Sequence, residues 1–131
     1  MQYVVVDTNI FLLPFQFRLD ILSEFERLFS GPFLIVVSTQ AVSELKHLQT
    51  KQPQSKNAIA ARLGYSFFEK ATKQGKIKIV RSREPVDGWL IGWAEKNRAV
   101  VCTNDAAVRK KAKEKGLQVV SLRNKSSLAF V

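Results

Sequence analysis

The chain alternates between short apolar runs and longer stretches in which apolar residues recur every third or fourth position. The runs are rich in β-branched residues and read as strands buried on both faces: the stretch Tyr3–Asn9, YVVVDTN, then Phe33–Val37, Ile77–Val80, Ala99–Cys102 and Leu117–Leu122. Helical spacing places Phe17, Ile21, Leu22, Phe25, Leu28 and Phe29 on one face of a helix over Phe17–Phe29. Arg18, Asp20, Glu24, Glu26 and Arg27 form its solvated face, and Ser30, Gly31 and Pro32 stop it. Ser38 and Thr39 start a second helix, buried through Val42, Leu45 and Leu48, and the polar, proline-broken run Gln49–Ser55 is a loop. Ser55 caps a helix over Lys56–Lys73 whose packed stripe is Ile59, Ala60, Leu63, Phe67 and Ala71. Pro85 opens a helix through Asn97, and a short basic helix over Ala106–Lys115 ends at Gly116. The tail Arg123–Val131 is assigned to no element.

Strands alternating with helices at these lengths imply βαβ units with right-handed crossovers. The expected fold is an α/β three-layer sandwich around a central parallel sheet of four to five strands, Rossmann-like, as one domain spanning residues 1–131. In the usual doubly wound order the first and fourth strands are neighbours where the strand order reverses, and ligands bind in the crevice at their carboxyl ends.

A length of 131 residues with 46% hydrophobic content suffices to bury a core without disulfides or metals as staples. The single cysteine, Cys102, cannot form an internal disulfide and lies within an apolar run, which suits a small core residue in a reducing compartment; as a catalytic thiol it would need the lone histidine, His47, as its base. No segment reaches the roughly 18 apolar residues of a membrane span, and the amino terminus runs directly into a strand. The expectation is a cytoplasmic protein with no membrane role.

Twenty-one Lys and Arg against 11 Asp and Glu leave a net charge of +10, which attracts polyanions and puts nucleic acid first among partners. Against this excess, Asp7 ends the first strand, Glu44 lies on the helix after the second, Asp87 in the first turn of the helix after the third, and Asp105 directly after the fourth. Each also has a structural explanation: Asp7 and Asp105 as helix caps, Asp87 favoured by the helix dipole, Glu44 as a boundary residue paired with Lys46 or another cation. If all four face one crevice, their mutual repulsion calls for a divalent cation, and an all-oxygen ligand set suits Mg²⁺ or Mn²⁺.

DTN at Asp7–Asn9, SELKHL around Glu44, VDGWLIGWA around Asp87 and CTND ending at Asp105 together resemble the PIN-domain nucleases, in order and spacing over nearly the whole chain. NIFLLPFQFRLDILSEFERLFSGPF resembles the branch related to ribosomal RNA processing factors, small archaeal members included, more than the VapC-type toxins. The resemblance implies a ribonuclease acting on structured or ribosomal RNA, in which Asp7, Glu44, Asp87 and Asp105 bind one or two Mg²⁺ or Mn²⁺ ions and carry the catalysis. Thr8, Asn9, Thr103 and Asn104 would support them by hydrogen bonds. Gly88 and Ala107 stand where many relatives carry further acidic residues, which bears on a second metal. The rival reading keeps the fold and drops the catalysis, leaving an RNA-binding or assembly protein.

Arg109, Lys110, Lys111 and Lys113 crowd the helix after Asp105 and form an expected phosphate-binding flank, with Lys46, Lys51 and Lys56 as its opposite wall. His47, three residues from Glu44, is more often a surface residue than a catalyst. Trp89 and Trp93 widen the apolar stripe of Val86, Leu90 and Ala94, either as a homodimer contact or as part of the intramolecular core.

Overall fold

The computed structural model describes residues 1–131. Five parallel strands, β1 (Gln2–Val6), β2 (Phe33–Ser38), β3 (Ile77–Val80), β4 (Val100–Cys102) and β5 (Val119–Arg123), and one antiparallel strand, β6 (Ser127–Phe130), form a single sheet in the order β3-β2-β1-β4-β5-β6. The reversal of order falls between β1 and β4, whose registers pair Val4 with Val100 and Val6 with Cys102.

Strand alternation divides the interior in two. Val4, Val6, Ile35 and Val37 face one core, which includes Leu45, Phe25 and the aromatic residues beneath the amino-terminal helices. Val5, Val36, Val101 and Val119 face the other, against Leu90, Ala94, Val108 and Ala112. The second core is covered by α5 (Val86–Asn97) and α6 (Ala106–Glu114). Trp89 is buried within it and Trp93 packs edge-on to Tyr3 with ring centroids 5.5 Å apart, so both tryptophans have intramolecular partners. Cys102 is a fully buried core residue whose thiol is pushed up by desolvation and, secondarily, by the charge of Asp7.

Three features depart from the sequence reading. The helix expected over Phe17–Phe29 is shorter: after a 3-10 segment (Thr8–Leu12) comes α1 (Leu13–Gln16), which ends before Phe17, and α2 spans only Ile21–Leu28. Arg18 takes a left-handed φ of 52° between them, and Asp20, assigned to the solvated face, instead caps α2 by accepting from the Ser23 N–H at 3.1 Å. The tail is structured too. Asn124 and Lys125, with φ of 53° and 57°, turn the chain into β6, so the sheet has six strands rather than four or five. Glu24, also read as solvated, accepts the Leu128 N–H at 2.7 Å and ties α2 to that edge strand.

Between α3 (Thr39–Thr50) and the amino-terminal turns lies α4 (Lys56–Lys73), and its buried face follows the expected stripe only in part. Ala60 and Ala71 are buried and Ile59 and Phe67 half-buried as expected, but Leu63 is 50% exposed, and Ala58, Ala61, Gly64 and Phe68 are buried as well. Small residues at three- and four-residue intervals let backbones approach closely, and a Cβ at Gly64 would lie 2.0 Å from the Phe11 carbonyl oxygen. That contact seats the loop after β1, and with it Asp7 to Asn9, against α4.

Candidate active site

Asp7 leaves the end of β1, its N–H bonded to the Cys102 carbonyl at 3.0 Å; Thr103 leaves the adjacent end of β4, its N–H bonded to the Val120 carbonyl at 3.0 Å. These neighbouring exits open a cleft of about 630 Å³ at the carboxyl edge of the sheet. Asp7, Glu44, Asp87 and Asp105 all line it, so four acids separated by up to 98 residues converge on one place. Thr8, Asn9, Ser43, His47 and Leu48 complete its walls, and His47 is its only basic side chain.

Asp7 lies at the entry of the 3-10 segment but makes no side-chain capping bond. It is 8% exposed and accepts the buried Thr103 hydroxyl at Oδ2, 2.9 Å away. Burial raises its proton affinity above the usual carboxylate range; the Thr103 bond opposes this, and the charges of Asp87 and Asp105 add to it. The Thr103 oxygen also accepts the Asp105 N–H at 3.1 Å, so one hydroxyl fixes two acids. Asp105 does cap α6, its Oδ1 accepting from Ala107 and Val108 at 2.8 and 3.2 Å, while its residue faces the cleft. Capping and cleft lining are compatible here because a carboxylate has two oxygens.

Glu44 is held from across the cleft: the Thr8 hydroxyl donates to its Oε2 at 2.8 Å, in place of the pairing with Lys46 considered above. Lys46 instead sits over the Tyr65 ring, 5.8 Å from its centroid. Asn9 lines the cleft with no side-chain hydrogen bond to the acids, and Asn104 Oδ1 accepts the Leu122 N–H at 2.8 Å, bracing the β4 exit against β5. Asp87 in the first turn of α5 is exposed, and Gly88 beside it has nothing within 4 Å of where a Cβ would stand. Ser43 and His47 flank Glu44 on the same helix at spacings of one and three, and the i, i+3 relation was the signal that could have brought His47 into the site.

As the side chains stand, no three Asp, Glu, His or Cys residues gather tightly enough to hold one ion. The donor chemistry nevertheless suits a hard cation: four carboxylates, no thiol, and repulsion felt at Asp7 from two of the others. Glu44, though exposed, is held by Thr8, whereas Asp87 is exposed and makes no side-chain hydrogen bond.

None of Lys46, Lys51, Lys56, Lys110, Lys111 or Lys113 lines the cleft; all six are exposed, and Arg109 lines an adjoining cavity. The molecule contains one ion pair, Arg27–Glu24 at 3.0 Å, so these lysines carry uncompensated charge. No helix is long and apolar enough to cross a membrane.

In fold, this is a PIN domain. The PIN domain endonuclease Utp24 matches it with a TM-score of 0.72 at 16% identity, over 98% of this chain and 90% of that one. A domain of a functionally unknown protein from Methanocaldococcus jannaschii matches with a TM-score of 0.64 at 20% identity, over 94% and 92%. The chain belongs to the PIN-like domain family, whose sequence profile matches residues 4–125. It is 29% identical over 119 residues to Ribonuclease VapC9 of Archaeoglobus fulgidus, covering 91% of this chain and 82% of the relative.

Proposed function

We propose that this protein is an endoribonuclease dependent on Mg²⁺ or Mn²⁺, with RNA processing, including that of ribosomal RNA, as its field of action. The observation that carries the reading is the convergence of Asp7, Glu44, Asp87 and Asp105 on one cleft at the strand ends. A relative that is a ribonuclease and a structural neighbour that is an endonuclease support it.

In this reading Asp7 and Asp105, linked through the Thr103 hydroxyl, and Glu44, held by Thr8, are the positioned ligands, and Asp87 is the adaptable one. Held by these carboxylates, a divalent ion would supply charge neutralisation at the scissile phosphate and would acidify a water. Thr8 aims Glu44 into the cleft, and His47 at its rim is placed to donate to a phosphate oxygen. The exposed, unpaired lysines draw the RNA backbone toward the cleft without reading sequence.

The alternative, an RNA-binding or assembly protein of the same fold, draws support from Gly88, Ala107 and the open spacing of the acids. Incubation of single-stranded RNA with the protein and Mn²⁺ or Mg²⁺ separates the two. Cleavage that disappears in Asp7→Asn, with the melting temperature retained, is expected; RNA binding without cleavage would favour the alternative.

A further inference from the structure

Beside the acidic cleft, and sharing Asn9 with it, lies a second cavity of about 480 Å³, within the range of small-molecule pockets, about 300–1,000 Å³. Its chemistry is the opposite of its neighbour's. No carboxylate lines it; four carboxamides do, Asn9, Gln16, Asn57 and Asn104, together with Phe17, Arg109 and a floor of leucines. They come from the β1 exit, α1, the first turn of α4 and the β4 exit, so only folding assembles them.

A carboxamide offers a carbonyl acceptor and two N–H donors, the pattern that pairs with the edges of nucleobases. Asn104 has its oxygen anchored on the Leu122 N–H, which fixes the amide plane and leaves its NH₂ for another partner. Asn9, Gln16 and Asn57 make no side-chain hydrogen bonds within the chain. Phe17 provides a face for stacking, as aromatic residues do for unpaired bases, and Arg109 is the cavity's single charge.

We infer that this cavity binds one unpaired nucleobase of a single-stranded RNA whose adjacent phosphate lies in the acidic cleft, and that it sets the base preference of the protein. The inference rests on the proposed ribonuclease reading for the position of the phosphate, but the pocket itself carries no carboxylate and a single positive charge, Arg109. A phosphate is directed to the cleft, where a cation would meet it, and an uncharged base to the amides. Asn9, common to both walls, makes the two sites neighbours rather than remote.

The test uses the full chain carrying Asp7→Asn to prevent cleavage, with Mg²⁺ present, and a short fluorescent oligoribonucleotide in which each base in turn is replaced by an abasic ribose. Removal of one base should weaken binding about five- to hundredfold, the effect of losing a stacked base, with smaller losses elsewhere. Adding Gln16→Ala and Asn57→Ala, both exposed positions, should abolish that dependence and leave affinity for the abasic oligoribonucleotide unchanged. Equal sensitivity at every position, an unaltered profile in the double variant, or no binding of RNA would overturn the inference. The ribonuclease reading fails separately: an intact base profile with no cleavage of RNA by the unsubstituted chain sinks that reading alone. Cleavage whose base preference is indifferent to Gln16→Ala and Asn57→Ala sinks the pocket alone.

Discussion

The Thr103 hydroxyl donates to Asp7 Oδ2 at 2.9 Å, wholly buried, across the seam between β1 and β4. The same oxygen receives the Asp105 backbone N–H at 3.1 Å, so a single side chain ties the Asp7 carboxylate to the backbone that carries Asp105. Thr103→Val keeps the shape and removes both bonds, leaving a buried carboxylate oxygen unpartnered, at a cost of about 1–3 kcal/mol. The expected outcome is a lower urea midpoint and loss of cleavage, with Thr103→Ser restoring both. Thr103→Val melting like the unsubstituted protein would show that the hydroxyl is dispensable.

Gly88 lies in the first turn of α5, exposed, with open space where its Cβ would be. Gly88→Asp therefore adds a carboxylate beside Asp87 without steric cost, at a helix end that favours negative charge. Calorimetry without RNA should find one divalent-ion site per chain, and Gly88→Asp should tighten it about tenfold, a modest share of the Coulomb energy of an added charge near the ion. Thermal stability without metal should hold. Two equivalent tight sites in the unsubstituted protein would contradict the single-ion expectation.

Neutralising Lys110, Lys111 and Lys113 on the exposed flank of α6 should weaken RNA binding to the same extent for all sequences. The plot of log affinity against log salt should flatten by up to about 2, the value for three lost phosphate contacts on a single strand. The check is fluorescence anisotropy over a salt series with two unrelated oligoribonucleotides. Unchanged affinity at low salt would reduce this face to a solvated surface.

Glu24 makes stability depend on pH. Its carboxylate accepts from Arg27 at 3.0 Å and from the Leu128 N–H at 2.7 Å, and these bonds, Arg27's foremost, hold it below the ordinary glutamate range. A depressed folded-state value means that the stabilisation is present above the unfolded value near 4.5 and disappears as pH falls through the folded one. Glu24→Gln should cost about 1 kcal/mol at pH 7, with the two proteins converging in acid below that window. Equal stability at pH 7 would mean that β6 does not need this tie.

The strand runs, their parallel arrangement and the four acids were legible in the chain because each rests on local pattern: β-branched blocks buried on both faces, and carboxylates at the points where strands end. The adjacency of β1 and β4 was expected on the condition of the usual doubly wound strand order, which the sheet follows. What the tertiary structure decided were matters of orientation. Phe17–Phe29 has an unbroken apolar period, yet Arg18 turns the chain within it, because Asp20 caps the second helix and Leu19 buries between the two. On α4 the close approach of Gly64 to the Phe11 backbone brings small residues into the buried face, while Leu63 of the expected stripe is left exposed. Asp7 is free of capping and Asp105 is not, a difference made by where the Thr103 hydroxyl and the α6 N–H groups point. The amide-lined pocket was invisible for the same reason. Asparagine and glutamine carry no periodic signal, and residues 9, 16, 57 and 104 become neighbours only when the β1 exit, α1, α4 and the β4 exit pack together.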